Sequence, residues 1–344
     1  MAFTNFLFEK NGIKIRVGNT PVLRIEINGV EFFAKAEWFN CFELPDGFIH
    51  GSVKMRAACF MLNDYISRHG MKPLLEKVVV EPSSGNTGIA LAAFAKLYGF
   101  RFMPVVSHKA TEEVKETLTR IGFPPFEVDD RLYPISSATA TDQAIAFVGE
   151  VLMRSEYRNE YIWLNQFENE ANPKAHEKTT SEEIAAFGKV SAVVTGIGTG
   201  GTYVGLKRGL AKHKISVIGV QPHENSRIQG LRNLIGSAFI PKILEREAIN
   251  ARDLPTVKEE EALKMIEKIF AKYDLLVGLS SGVTAYHAYQ LAKNGKKVIA
   301  IFADTGQNYK NMYEELGLIS PKFNFRKLYE TDNLPVASEK CTEA

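Results

Sequence analysis

The sequence has little sulfur and little net charge. Its 344 residues include only three cysteines, Cys41, Cys59 and Cys341, with no CxxC pair and no metal-ligand spacing. That excludes a disulfide or zinc scaffold and fits a reducing compartment, with the thiols as small buried apolar groups. Lys plus Arg number 42 against 40 Asp plus Glu, a net charge of +2. Both signs are spread along the chain without a polybasic block, so neither nucleic acid nor a lipid surface is an expected partner. No run approaches the roughly 20 apolar residues of a membrane span. The opening MAFTNFLFEKNGIK has too short an apolar run for a secretion signal, and Glu9 and Lys10 come too early. A cytoplasmic protein acting on a small molecule is the expectation. The length suits about two domains, yet no linker, internal repeat or low-complexity segment divides the chain. Two interleaved lobes reconcile these facts.

From about residue 55 onward, short β-rich runs alternate with helical patterns. The first helix is MRAACFMLNDYISRHG, in which Phe60, Leu62, Tyr65 and Ile66 can share a buried face. Strands are expected at KVVVE, RFMPVVS, FEVDD, YIWLNQF, AVVTG, SVIGVQP, LLVGL and KVIAIFADTG, separated by helices such as GIALAAFAKLYG, TYVGLKRGLAKH and KEEEALKMIEKIFAKY. This repeated βα order predicts an α/β fold of mostly parallel sheets flanked by helices. The stretch from Gln221 to Leu254 has no clear period and is longer than an ordinary connection, so it is expected over a site. Residues after about Lys322 are charged and broken by Pro335, and are expected to form an arm or a frayed tail.

Turns that follow strands carry the chemistry, because in open α/β sheets they face the ligand crevice. GIGTGGT, Gly196 to Thr202, follows AVVT and opens a helix; its glycines admit close backbone approach and the helix start favours an anion. The same residues match GxGxxG through Gly196, Gly198 and Gly201. A dinucleotide reading needs an acidic residue about 20 positions on, at the end of the next strand. SVIGV instead leads into Gln221, with Glu224 beyond Pro222. A single phosphate fits better. EPSSGNTG, Glu81 to Gly88, forms a neutral nest suited to a carboxylate, although Ser84, Asn86 or Thr87 would also serve as a plain helix cap. Ser280 and Ser281 are placed at the end of LLVGL, and Asp304 and Thr305 at another strand end. Lys54, in HGSVKMR, stands just before an amphipathic helix, where the positive dipole and partial burial lower its pKa. A lone lysine there would be solvated surface. Beside phosphate and carboxylate nests, a desolvated lysine forms an imine with a carbonyl cofactor.

VGNTPVLRI, SVKMR, EPSSGNTGIALA, QFENEANPKAHEKTTSEEI, GIGTGGT, VGLSSG and IFADTGQNY together resemble the fold type II pyridoxal-phosphate enzymes. Within that group the chain is most similar to the cysteine synthases (O-acetylserine/O-phosphoserine sulfhydrylases), in the family's order and approximate spacing. The resemblance implies a two-lobed enzyme, each lobe an open, mostly parallel sheet flanked by helices. Residues 35–165 would form a smaller mobile domain with the lysine and the substrate carboxylate loop. Residues 1–34 and 166–325 would form the larger domain with the phosphate loop, and 326–344 an arm or tail. It implies pyridoxal 5'-phosphate as cofactor, bound as an imine at Lys54. The cofactor phosphate would lie on Gly198, Thr199, Gly200, Gly201 and Thr202, the ring oxygen on Asn86 and the pyridine nitrogen on Ser280. Substrate carboxylate contacts carry over to Ser83, Ser84, Thr87 and Gln166.

The implied reaction is β-replacement on an activated serine. Lys54 removes the α proton, an aminoacrylate forms, and a sulfide donor adds to give L-cysteine. A homodimer is implied, and no metal. GLRNLIGSAFIP resembles the O-phosphoserine-using branch, where an arginine meets the substrate phosphate. Arg232 is thus expected to favour O-phosphoserine with O-acetylserine close behind, although loop arginines, Arg227 included, are commonly solvated or paired with carboxylates. Three features depart from the usual text: Met55 where an aspartate commonly follows the lysine, Gln307 where glutamate is common, and the long run EWFNCFELPDGFIHG. Alternatives are a cystathionine β-synthase, a serine or threonine dehydratase acting by β-elimination, and a noncatalytic or nucleotide-binding protein. A regulated cystathionine synthase, with appended regulatory repeats and a haem-binding extension, is the less expected of these.

Overall fold

The computed structural model describes residues 5–129, 141–188, 190–224, 226–235, 237 and 239–337. The region before Lys54, where no helical period is present, holds six strands: β1 (Phe6–Lys10), β2 (Ile13–Val17), β3 (Val22–Ile27), β4 (Val30–Ala36), β5 (Cys41–Glu43) and β6 (Ile49–Gly51). Two hairpins here turn on Asn-Gly pairs. Asn11 and Gly12 have φ of 55° and 76°, Asn28 and Gly29 have 52° and 76°. Two left-handed residues in a row match the right-handed twist of the flanking strands, and Asn-Gly tolerates them best.

The later strands are β7 (Val78–Pro82), β8 (Arg101–Ser107), β9 (Phe126–Val128), β10 (Tyr161–Trp163), β11 (Ala192–Gly196), β12 (Ser216–Pro222), β13 (Thr256–Val257) and β14 (Val298–Phe302). With β3 and β4 they build two of the three sheets. One is wholly parallel, in the order β10-β7-β8-β9. The larger runs β13-β12-β11-β14-β4-β3 and is parallel except for the β3/β4 hairpin. An antiparallel sheet, β1-β2-β5-β6, stands apart. The α/β architecture of parallel sheets under helices is therefore the one expected.

β14 shows why the large sheet is parallel. All five residues of VIAIF are buried, which requires cover on both faces, and burying each large apolar side chain contributes roughly 1.5–3 kcal/mol. Helices Glu259–Tyr273 and Leu279–Lys293 pack in the same core cluster as Val298, Ala300 and Phe302. A separate core joins β2 and β5 to helices Lys54–His69 and Asn86–Tyr98. The buried face of Lys54–His69 is not the one expected. Leu62 is buried, but Phe60, Tyr65 and Ile66 are only partly covered, while Met55, Ala58 and Met61 are interior.

LLVGL forms no strand: Val277 makes a single bridge to Thr305, and the next helix begins at Leu279. The segment after Lys322, expected as an arm or a frayed tail, is held by hydrogen bonds as far as residue 337. The Trp38 indole donates to the Leu328 carbonyl at 2.7 Å, the Arg24 N–H to Pro335 O at 2.7 Å, and the Ala337 N–H to Val22 O at 2.8 Å. Cys41 and Cys59 are buried free thiols whose pKa values burial pushes up to about 11 and about 12, so they are inert packing groups. Cys341 lies outside the described residues. Among the described residues no helix is long and apolar enough to cross a membrane, and no cluster of His, Cys, Asp and Glu could hold a metal ion.

Candidate active site

The C-terminal ends of β7, β11, β12 and β14 open on one cleft of about 940 Å³. Of the residues singled out in the sequence, Lys54, Ser83, Ser84, Asn86, Thr87, Gln166, Gly198, Thr199, Gly200, Thr202, Arg232 and Ser280 all line it. Gly201 lies just behind, as the first residue of the helix Gly201–Leu210. The Gln221–Leu254 excursion does cover the cleft, with Pro222–Glu224 and Ser226–Asn233 in its wall.

Lys54 opens the helix Lys54–His69 and projects into the cleft half-buried. Loss of solvent lowers its pKa, and the charge of Asp304 only partly restores it. Its neighbour Met55 is 1% exposed within the core, where an aspartate would be a buried charge. Arg56 is wholly buried. Its guanidinium meets Glu37 and Glu183, each at 2.7 Å, and Lys35 meets Glu183 at 2.7 Å. This quartet of opposite charges ties the lysine-bearing helix to β4, to the turn at Glu37 and to the helix Ser181–Phe187.

The glycine loop is shaped by close approach. Gly200 has φ of 86°, and a Cβ on Gly201 would come within 2.0 Å of Asn172 Oδ1. Asn172 in turn donates to Thr199 Oγ1 at 3.1 Å and to the Gln166 carbonyl at 2.7 Å, joining this loop to the opposite wall. His176 lies behind, with Nε2 at 3.3 Å from Thr202 Oγ1 and Nδ1 at 2.9 Å from Thr180 Oγ1. Burial, then the charges of Arg56 and Lys54, hold its pKa well below the ordinary value, so its ring is neutral.

In the EPSSGNTG loop the capping hydroxyl is Ser83, not Ser84, Asn86 or Thr87. Its Oγ accepts from the Gly85 N–H at 3.0 Å and the Gly88 N–H at 3.1 Å. Thr87 donates to Gln166 Oε1 at 2.5 Å, and Gln166 Nε2 donates to Pro82 O at 2.8 Å, so these two side chains hold each other at the cleft wall. Glu81, which the sequence reading passed over, accepts from the N–H groups of Asn165 and Gln166, each at 2.9 Å. Burial pushes its carboxyl up to about 8 against the pull of those hydrogen bonds. Ser280 and Ser281 sit in the first turn of the helix Leu279–Lys293 and not at a strand end.

Arg232 reaches the cleft but does not offer the free guanidinium expected of it. Nη1 is ion-paired with Asp142, donates to Ser237 Oγ at 2.7 Å and lies 3.2 Å from the Phe239 carbonyl oxygen. Arg232 and Asp142 are each under a tenth exposed. Arg227 is likewise taken, by Glu259 at 2.6 Å. Gln307 has a local reason: Nε2 donates to Ile49 O at 3.2 Å while Oε1 accepts from the Tyr329 hydroxyl at 3.2 Å. A glutamate there could not donate to Ile49.

Asp304, singled out in the sequence only as a strand-end residue, is buried behind the cleft wall. Oδ2 accepts from Asn86 Nδ2 at 2.7 Å and from the Tyr309 hydroxyl at 3.4 Å, and Oδ1 is buried without a hydrogen-bond partner. Burial raises its pKa to about 6, although Asn86 and Lys54 favour the charged form.

A family model described as pyridoxal-phosphate dependent enzyme matches residues 13–304. A cysteine synthase of Aquifex aeolicus is 35% identical over 311 residues, 85% of this chain and 88% of that protein. Cysteine synthase B of Campylobacter jejuni is 31% identical over 309 residues, 85% of this chain and 94% of that protein. Among solved structures, O-ureido-L-serine synthase aligns with a TM-score of 0.72 at 27% identity, covering 91% of this chain and 96% of that one. An O-acetylserine-dependent cystathionine β-synthase from Helicobacter pylori aligns with a TM-score of 0.70 at 26% identity, covering 86% and 95%.

Proposed function

The chain belongs to the pyridoxal-phosphate-dependent enzymes, in the cysteine synthase family, and from that premise we propose that it replaces the β substituent of an activated L-serine with sulfide to give L-cysteine. The observation that carries this reading is the convergence of one desolvated lysine, one glycine-rich helix start and one hydroxyl-rich turn on a single cleft. These residues fit the cofactor: a primary amine suits its aldehyde, the start of a ten-residue helix with two threonine hydroxyls suits its phosphate, and a neutral serine suits its ring nitrogen.

Bound pyridoxal phosphate supplies the electron sink for loss of the α proton and the β leaving group. Lys54 Nζ, with its lowered pKa, takes the α proton and later returns it. Asn86 contributes an N–H at the cleft wall, and Ser280 a hydroxyl that enforces no ring charge. The turn Ser83–Thr87 and Gln166 orient the substrate carboxylate. Residues 35–165 supply Lys54 and that turn, while the rest of the chain supplies the phosphate loop, so the substrate sits between the two. The wall Ser226–Asn233 limits water above it.

For the leaving group, Arg232 now argues differently from the sequence. With Asp142 on its guanidinium, the pair has no net charge to attract a phosphate dianion, so a neutral ester such as O-acetylserine takes first place and O-phosphoserine second. Cofactor-loaded protein given O-acetylserine and sulfide should form cysteine, with pyruvate as a minor product. Steady release of pyruvate and ammonia faster than cysteine at ample sulfide would refute replacement in favour of elimination.

A further inference from the structure

Residues from three distant parts of the sequence, His50, Asn86 and the pair Asp304 and Asn308, form one hydrogen-bonded line that runs through the cleft wall. His50 Nε2 lies 2.8 Å from Asn308 Oδ1, Asn308 Nδ2 donates to Asn86 Oδ1 at 2.8 Å, and Asn86 Nδ2 donates to Asp304 Oδ2 at 2.7 Å. The carboxylate end sets the direction. Ionised Asp304 can only accept, so Asn86 must turn its NH2 toward it. Asn86 Oδ1 then faces Asn308, which must donate, and Asn308 Oδ1 faces His50, which must donate in turn. His50 supplies that donor in one tautomer: it is 2% exposed, packed beside Phe42 with ring centroids 6.0 Å apart, and burial lowers its pKa to about 4. The backbone of Asn308 is itself held, because the Thr111 hydroxyl donates to its carbonyl at 3.0 Å.

An asparagine amide left to itself can present either its oxygen or its nitrogen to a cleft. Here Oδ1 is occupied by Asn308 and one N–H by Asp304, which leaves the second N–H for the cleft that Asn86 lines. We propose that Asn308, backed by His50, is a positioning residue that locks the Asn86 amide so that the cofactor meets a donor there and never an acceptor. The donor takes an electronegative oxygen of the cofactor ring and favours the form in which that oxygen carries negative charge. This rests on the binding of pyridoxal phosphate at Lys54 proposed above.

Asn308→Asp tests it, because an aspartate of the same shape cannot donate to Asn86 Oδ1 and competes with Asp304 for the Asn86 NH2, so that the second N–H is drawn away from the cleft. Apo-protein is titrated with pyridoxal phosphate by intrinsic fluorescence, the absorption bands of the cofactor are recorded at saturation, and melting of the apo-protein is followed in parallel. The expected result is affinity weakened at least about tenfold, the scale of one lost charge-assisted hydrogen bond, with band intensity moved to shorter wavelength at saturation. His50→Leu, which frees Asn308 to rotate, should move both in the same direction by less. It carries the test if Asn308→Asp does not fold. Wild-type affinity and band ratio in the folded variants overturn the proposal, even if melting temperature falls, since a merely structural role moves only the latter. Failure of the wild type to bind the cofactor is a separate result, which overturns the reading of the cleft and the proposal with it.

Discussion

Replacing Arg56 with methionine should destabilise the protein more than any other single change beside the cleft. Arg56 is fully buried and spends its guanidinium on two carboxylates: Nε and Nη2 on Glu37 at 2.7 and 2.8 Å, Nη1 and Nη2 on Glu183 at 2.7 and 2.8 Å, with Thr179 at 2.9 Å. With Lys35 the cluster balances two positive charges against two negative. Methionine fills much of the same volume but leaves Lys35 alone against both carboxylates. Removing one member of a buried ion cluster typically costs about 3–5 kcal/mol, because the remaining charge is neither solvated nor matched. The assay is urea unfolding of the apo-protein followed by tryptophan fluorescence, with circular dichroism as a second probe. Adding Glu183→Gln to Arg56→Met restores the balance of one Lys35 with one Glu37, so the double variant should lose at least about 1 kcal/mol less than the sum of the singles. A loss below about 1 kcal/mol for Arg56→Met, or strict additivity in the double variant, would show that the cluster is not the electrostatic unit described.

Lys54→Ala should lose the absorption band of lysine-bound cofactor and reduce cysteine formation by about 100-fold to 10,000-fold, measured with cofactor in excess; retention of either would remove Lys54 from its assigned role. Asp142→Asn should free the Arg232 charge and raise kcat/KM for O-phosphoserine relative to O-acetylserine by about tenfold or more, the scale of one charge-assisted contact; an unchanged ratio would mean that Arg232 does not face the leaving group. Asp304 has a folded pKa near 6 against an unfolded value of 3.8, so its favourable contribution is complete below the unfolded value and lost as pH rises through 6. Relative to Asp304→Asn, the wild-type apo-protein should lose up to about 3 kcal/mol between pH 4 and pH 8 in denaturant titrations, with Lys54, Tyr309 and the Asn86 and Asn308 amides as the groups facing the carboxyl. A pH-independent difference would contradict the buried, charged state assigned to it.

The parts of the site that could be read from sequence were those governed by local chain chemistry. A glycine run after an apolar strand, a hydroxyl-rich turn before a helix and a lysine at a helix start each mark a strand-end turn, and parallel sheets bring such turns to one edge. The Asn11–Gly12 and Asn28–Gly29 hairpins were equally legible as turn signals, but without helical periodicity around them the first fifty residues went unread. LLVGL went wrong because Leu275, Leu276 and Val277 are fully buried like a strand interior, and composition does not separate a buried strand from a buried approach to a helix. What sequence could not supply was partnership at a distance. Arg56 meets Glu183 across 127 residues, His50 meets Asn308 across 258, and Arg232 meets Asp142 across 90. The last bears on the leaving group proposed, since an arginine read alone offers a net positive charge and an arginine paired with a buried carboxylate does not.

The docking of residues 335–337 onto β3 bears on how the molecule avoids its own copies. β3 is the outermost strand of the large sheet, and its free side would be a template for another chain. The Arg24 N–H and the Val22 carbonyl are instead occupied by Pro335 and Ala337, while the N–H of Val336, which lies between them on the outer edge, is spent on the Leu334 carbonyl at 2.8 Å. The segment thus acts as a selvedge, closing the weave of the sheet with an outer N–H that is already tied off. A chain cut before Pro335 would keep every cleft residue and yet carry an open hem, and its first failing would be precipitation rather than loss of chemistry.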